Sequence, residues 1–291
     1  MSLGAGPSDL DLLPGVAPGG PVRARRRRVS WRASVVAAIS TVVFFGLLAV
    51  FITGAPGWAE VQSSFLNAKY FWGSLPDVVG HFWVNVQLFV IAEVLILVLG
   101  LVLAVLRSLP GPVFFPVRLL ATLYVDLFRA IPGVLVIYVL GFGIPGLGIA
   151  GIPVEPFLWA VVALTLLYSA YVSEVYRAGI ESIHPSQEAA ARSLGLTRMQ
   201  ALRFVVLPQA VRRVIPPLLN DFIGLQKDTV LVSFIGVVDL FRTAQIKQAA
   251  TFNFTPYLAV ALVFVVVTFP LARVVDWLVA RDRSRAAAGA R

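Results

Sequence analysis

The residues of this chain that could do chemistry are few, and most fall inside apolar stretches. Gln226-Lys227-Asp228-Thr229 is the most polar patch within a hydrophobic run. Glu93, the pair Asp126 and Arg129, and a stripe of Thr165, Ser169 and Ser173 followed by Glu174 are the others. An ionisable group within a membrane span is costly, so it marks a solute path, a gate or a paired network between helices. Asp126 and Arg129 are i,i+3 and can pair on one helix face. Lys227 and Asp228 are adjacent and point about 100° apart, so they meet different neighbours. Thr165, Ser169 and Ser173 recur every four residues, which suits a packing face or a polar lining. Asn85 and Gln87 read as interhelical hydrogen-bonding groups.

Reactive chemistry has no visible machinery. The chain of 291 residues has no cysteine and two histidines, His81 and His184, far apart. No G-x-x-x-x-G-K-[ST] phosphate loop, H-E-x-x-H zinc motif or G-x-S-x-G elbow occurs. No metal ligand set and no cofactor are expected on this chain. The pattern is that of a pathway without its own motor.

The segments that must position these groups are hydrophobic helices. The chain is 58 % hydrophobic and 13 % charged, against about half and a quarter in soluble domains. Its apolar residues lie in blocks of about 20, the length that spans a bilayer core. This predicts an all-α, polytopic membrane protein with six spans: 33–53, 81–106, 119–142, 157–176, 214–238 and 257–279. Pro132 is expected to kink the third span, and Pro216-Pro217 to start the fifth. Residues 54–80 and 239–256 read as outer segments. Asn253-Phe-Thr255 matches a glycosylation sequon, a short pattern that mostly occurs by accident.

Charge sets the orientation. The net charge of +9 comes from arginines flanking spans, not from a nucleic-acid surface. About 18 of the 24 Lys and Arg fall in segments assigned inside. Both termini are therefore expected in the cytoplasm, with residues 1–32 a disordered basic tail and 281–291 a second basic tail. The first apolar run is longer than a signal-peptide core, so the 33–53 helix is expected to be retained.

One polar stretch interrupts this design. Residues 181–208, ESIHPSQEAAARSLGLTRMQALRFVVLP, read as two short capped helices forming a cytoplasmic elbow. Ser186 is the expected N-cap, with Glu188 in the first turn at the positive end of the helix dipole. Gly195 supplies a left-handed stop. Thr197 and Gln200 form a T-x-x-Q capping box, and Pro208 ends or bends the second helix. A docking surface for a partner is the functional expectation.

These residues together resemble the permease subunits of bacterial ABC importers for polar amino acids. The resemblance runs from about Phe82 to Arg281. It is carried by Tyr124-Val-Asp-Leu-Phe-Arg-Ala-Ile-Pro132, Ser173-Glu-Val-Tyr-Arg-Ala-Gly-Ile-Glu-Ser182 and Val205-Val-Leu-Pro-Gln209. Pro216-Pro-Leu-Leu-Asn-Asp-Phe222, Lys227-Asp-Thr229 and Ile235-Gly236 complete it. The elbow is similar to the family's coupling helix, patterned E-A-A-x-x-x-G and then I-x-L-P. Gly195, Val205, Leu207 and Pro208 fall in place; the glutamate stands one position early, at Glu188, with Ala189 and Ala190 after it.

The resemblance implies a permease domain over 81–280, with an added N-terminal helix. Ser186, Glu188, Ala189, Ala190, Gly195, Leu196, Thr197 and Pro208 would face an ATPase. ATP and magnesium would be bound by that separate cytoplasmic subunit. An extracytoplasmic solute-binding protein would deliver the solute. The permease would pair with itself or a second permease in the bacterial cytoplasmic membrane, surrounded by lipid. A permease for another solute, a transporter or channel working without ATP, and a membrane anchor with a docking site are the alternatives. Glu93, Asp126, Arg129, Ser169, Glu174, Lys227, Asp228 and Thr229 are the candidate pathway or gate.

Overall fold

The computed structural model describes residues 31–289, with the side chains of Ala33 and 282–289 outside the description. The expected basic tail over 1–32 therefore lies almost wholly outside the described residues. No strand occurs among them. The chain divides into two units, one ending at Trp58 and one beginning at Ala59. The first holds α1 (Trp31–Thr53), whose apolar side chains are exposed along its length.

The second unit is a helical bundle. It begins with α2 (Trp58–Phe65) and α3 (Ala68–Ser108). Asn67 caps α3, its Oδ1 accepting from Lys69 N at 3.1 Å. At 41 residues, α3 is roughly 60 Å long, about twice the hydrocarbon thickness of a bilayer. It therefore takes in much of the segment 54–80 that was expected to be a separate outer connection. Among the described residues, four helices are long and apolar enough to cross a membrane, or up to six if each bent pair is one span.

The third expected span is one of those bent pairs. It is α4 (Phe115–Ala130) followed by α5 (Gly133–Tyr138), a π turn over Val139–Gly143 and α6 (Ile144–Gly146). The two halves meet at 106°. The cause is local. Ile131 precedes Pro132 and is held extended, ψ 132°, because the proline ring disfavours the helical region for its predecessor. The kink expected at Pro132 is a break.

The centre of the bundle is α7 (Pro156–Glu181), packed against α3. In its most apolar stretch 61 % of residues are buried, against 22 % in α12 (Thr255–Gly289). Leu88, Ala92 and Ile96 of α3 meet Ala163, Leu164 and Leu167 of α7 in one core, joined by Leu225 and Ile235. Gly179 permits a close crossing farther along α7, since a Cβ there would collide with Val214 Cγ2. A second core joins Val78 of α3 to Leu240 and Ala244 of α11 (Leu240–Thr251) and to Ala259 and Val263 of α12.

The elbow comprises α8 (Pro185–Ser193) and α9 (Arg198–Ala201), then a π turn over Leu202–Val206 leading into α10 (Leu207–Asp228). Pro208 does not end the helix. It has no N–H for an ordinary bond, and the backbone absorbs it with an i,i−5 bond from Leu207 N to Leu202 O. Pro216 and Pro217 lie inside α10 rather than at its start. The helix continues as a 3₁₀ segment, Thr229–Ile235. The expected outer segment 239–256 is mostly α11, capped by Asp239, whose Oδ1 accepts from Arg242 N at 2.8 Å. Asn253 is buried and donates to Ser63 O at 2.8 Å, so the sequon amide is already engaged. The expected tail after Arg281 continues α12 to Gly289.

Candidate coupling elbow and solute path

The elbow is set by backbone caps. His184, not Ser186, is the N-cap of α8, its Nδ1 accepting from Ser186 N at 3.2 Å. Pro185 occupies the first helical position, where a missing N–H costs nothing. Glu188 is then the fourth residue of the helix, still within the first turn. Its carboxylate reaches Arg198 on α9 at 3.8 Å, bridging the two short helices. Gly195 has φ +89°. Its N–H donates to Arg192 O at 3.0 Å, and Leu196 N–H to Ala191 O at 3.3 Å. That pair of bonds is the Schellman termination, which needs a left-handed residue where glycine stands. Thr197 and Gln200 exchange both capping-box bonds, at 2.9 and 3.3 Å.

The elbow also presents an apolar surface that sequence reasoning missed. Leu194 is 84 % exposed, Met199 70 % and Phe204 62 %. Large apolar side chains on a short polar helix pair were the available signal. Ala189 and Ala190 are exposed beside them, while Ala191 packs inward. Basic Arg192 and Arg198 rim a shallow concavity with Gly195 and Thr197.

Above the elbow sits a hub of ion pairs on Glu174. Arg107 from the end of α3 lies at 2.6 Å, Arg177 at 2.7 Å and Arg129 from the end of α4 at 3.7 Å. Arg177 also holds Glu181 at 2.5 Å. Arg129 therefore turns to α7 and not to Asp126, which is exposed and makes no ion pair among the described residues. Arg213 of α10 donates to Ser182 O at 2.6 Å, clamping the same end.

The Gln226–Thr229 patch splits four ways. Asp228 accepts from Tyr168 OH of α7 at 2.7 Å. Thr229 is buried with Asn85 and Asp239, and Asn85 Nδ2 donates to Thr229 Oγ1 at 3.2 Å and to Asp239 Oδ2 at 2.9 Å. That places Thr229 in a packed network, with Asp239 as a member that sequence reasoning missed. Lys227 is exposed, with no ion pair among the described residues. Gln226 accepts from Thr268 at 2.9 Å.

Thr165, Ser169 and Ser173 are all buried, and Ser169 Oγ lies 2.9 Å from Tyr124 OH. Their stripe is a packing face of α7. Glu93 is half-buried on α3 and makes no hydrogen bond or ion pair among the described residues.

A cavity of about 300 Å³ lies where α7, α10 and the break before α5 converge. Tyr168, Tyr171, Asn220, Asp221 and Asp228 supply its polar wall, and Gly133 its floor at the break. Asp221 Oδ2 is buried without a hydrogen-bond partner. No Lys or Arg lines it. The arrangement can receive a small polar solute carrying a positive group.

Comparison with known proteins matches this geometry. The model of the binding-protein-dependent transport system inner membrane component family fits residues 96–284. The probable glutamine ABC transporter permease protein GlnM of Bacillus subtilis is 40 % identical over 182 residues, covering 62 % of this chain and 82 % of that protein. The arginine transport system permease protein ArtQ of the same organism is 34 % identical, over 64 % of this chain and 83 % of its own. A crystal structure of an amino acid ABC transporter with histidines superposes with a TM-score of 0.65 at 33 % identity, covering 71 % of this chain and 94 % of that one. The chain therefore belongs to the binding-protein-dependent transport system inner membrane component family.

Proposed function

We propose that this chain forms half of the path through which an ATP-driven importer carries polar amino acids inward by alternating access. One observation carries the reading: α10 is a single mechanical element from the capped elbow to the acid-lined cavity. A force applied at Met199 on α9 reaches Asp221 and Asp228 through the unbroken helical run Arg198–Ile235. A separate cytoplasmic subunit binds ATP and magnesium and grips the elbow. A solute-binding protein delivers substrate at the opposite end.

The exposed face of α10 supports pairing with a second permease, of the same or another kind. Arg213, Asn220 and Lys227 lie on it. A lysine facing acyl chains near mid-membrane would cost about 2.5–3.5 kcal/mol, so a polar surface covers this face. The relatives named for glutamine and arginine transport support a polar amino acid as the solute. An ammonium group suits Asp221, whose buried oxygen lacks a partner. Both termini lie in the cytoplasm in this arrangement.

Each partner must bind the inward and outward states with different affinity, since contact alone shifts nothing. Gly195→Ala tests the coupling. A side chain in the left-handed position costs about 1–2 kcal/mol and loosens the cap. Transport-linked ATPase of the reconstituted complex should fall severalfold while the complex stays assembled. Unchanged coupled turnover would remove the elbow from the mechanism.

A further inference from the structure

The end of the bundle opposite the elbow is sewn together from two joints, one between α2 and α3 and one between α11 and α12. Asn253 Nδ2 donates to Ser63 O at 2.8 Å, Phe254 N to Ser64 O at 2.8 Å and Asn67 N to Thr255 Oγ1 at 3.1 Å. Phe65 and Phe254 stack across the seam, their ring centroids 5.0 Å apart. Beside it Phe252 is left-handed, φ +54°, the only non-glycine in that region among the described residues. The conformation crowds Cβ against the backbone and is rare for a bulky side chain. It persists only where the surroundings impose it. Phe252 is 83 % exposed, and Phe65, Leu66 and Phe254 are exposed at the same two joints.

At this height the patch lies beyond the lipid. The span expected on α3 begins at His81, and Asn67 caps the outer start of that helix. At 1.5 Å per residue Asn67 stands about 21 Å beyond His81. A tilt of 40°, the steep end of the usual range, still leaves about 16 Å. The headgroup layer takes up about 5–8 Å on each side. The aromatic tip therefore projects into water, where an exposed apolar patch marks a protein contact.

The chemistry beside the tip narrows the partner. A half-open cavity of about 330 Å³ is lined by Lys69, Tyr70, Lys247, Thr251 and Pro256. Lys247 Nζ is held by Asp77 at 2.6 Å. Lys69 is exposed and makes no ion pair among the described residues. A projecting ring thus stands next to a recess with one uncompensated positive charge. The complement is an apolar hollow bordered by a carboxylate. The family is defined by dependence on a binding protein, and this tip lies on the side from which solute arrives. We propose that it is a docking surface for the extracytoplasmic solute-binding protein, with Phe252 as apolar anchor and Lys69 as charge contact. The inference rests on the importer reading above and adds where, and by what chemistry, the delivering protein is held.

The assembled complex in intact cells tests this first. An amine-reactive crosslinker identifies the solute-binding protein that visits the complex. A photo-crosslinking residue in place of Phe252 should capture that same protein. In proteoliposomes, Phe252→Asn should raise the concentration of that protein needed for half-maximal ATPase stimulation about tenfold, the loss expected of an aromatic anchor. Asparagine accepts the left-handed conformation, so the melting temperature and the maximal stimulated rate should stand. Phe252→Tyr should match the unaltered complex. Lys69→Glu should raise the half-saturating concentration severalfold, more at low salt than at high. Half-saturation within twofold of the unaltered complex in Phe252→Asn overturns the proposal. Capture at position 252 of lipid or of a second copy of this chain, and not of the binding protein, overturns it as well. A binding protein found by the amine-reactive crosslinker but not captured at 252 removes this surface alone. Finding none removes the importer reading with it.

Discussion

The elbow and the polar interior of α10 are both short runs of polar residues, yet they are held in opposite ways. In the elbow the capping bonds span five residues or fewer: His184 to Ser186, Leu196 to Ala191, Thr197 to Gln200. In the interior the contacts reach across the chain, from Asn85 to Asp239 and from Tyr168 to Asp228. The elbow is exposed, so its groups lose little to water if a cap opens. Asn85, Thr229 and Asp239 are buried, so an unpaired group among them pays its full desolvation. A region that must respond to a partner is built from weak local caps, and the bundle that carries the response from strong distant ones.

The contrast predicts that interior substitutions unfold the protein while elbow substitutions uncouple it. The largest effect is expected from Glu174→Ala. It strips the counter-charge from Arg107, whose side chain is only 11 % exposed, and should cost about 3–5 kcal/mol. Thermal unfolding of the purified chain in detergent reads this directly, and a midpoint unmoved by the change would show that the hub is not structural. Asn85→Ala comes next. It leaves Asp239 Oδ2 without its donor in the core and removes one bond to Thr229 Oγ1, a loss of about 1–3 kcal/mol visible in the same melt.

Thr197→Ala removes one capping bond and should cost about 1 kcal/mol. The loss is local, so hydrogen exchange should quicken across 197–206 while the global melting temperature stays put. A fall in global stability as large as that of Asn85→Ala would erase the distinction between the two regions. Lys227→Gln should change stability least, by less than about 0.5 kcal/mol, because the ammonium makes no ion pair among the described residues. It should instead lower transport by the assembled complex; full transport activity would place Lys227 outside the path.

The membrane class was legible because a run of about 20 apolar residues has one meaning in a bilayer. The family resemblance was legible because its motifs are short and ordered. The left-handed turn at Gly195 and the Thr197–Gln200 box were readable for a related reason, since caps depend on neighbours in sequence. Even there one residue slipped: His184 took the cap from Ser186, because Pro185 already sits where a first helical residue belongs.

What the sequence determined by itself, then, is whatever the backbone decides within a turn or two: span length, helix stops, the polar interruption between 181 and 208. Tertiary structure decided the rest. Asp126 and Arg129 had the spacing to pair, but Glu174 offered Arg129 a partner already gathering Arg107 and Arg177. Lys227, Asp228 and Thr229 share one stretch of chain and point to an open face, a cavity wall and a buried network. Spacing says which side chains share a helix face. Only packing brings distant faces together, and a buried polar group takes the partner that packing delivers.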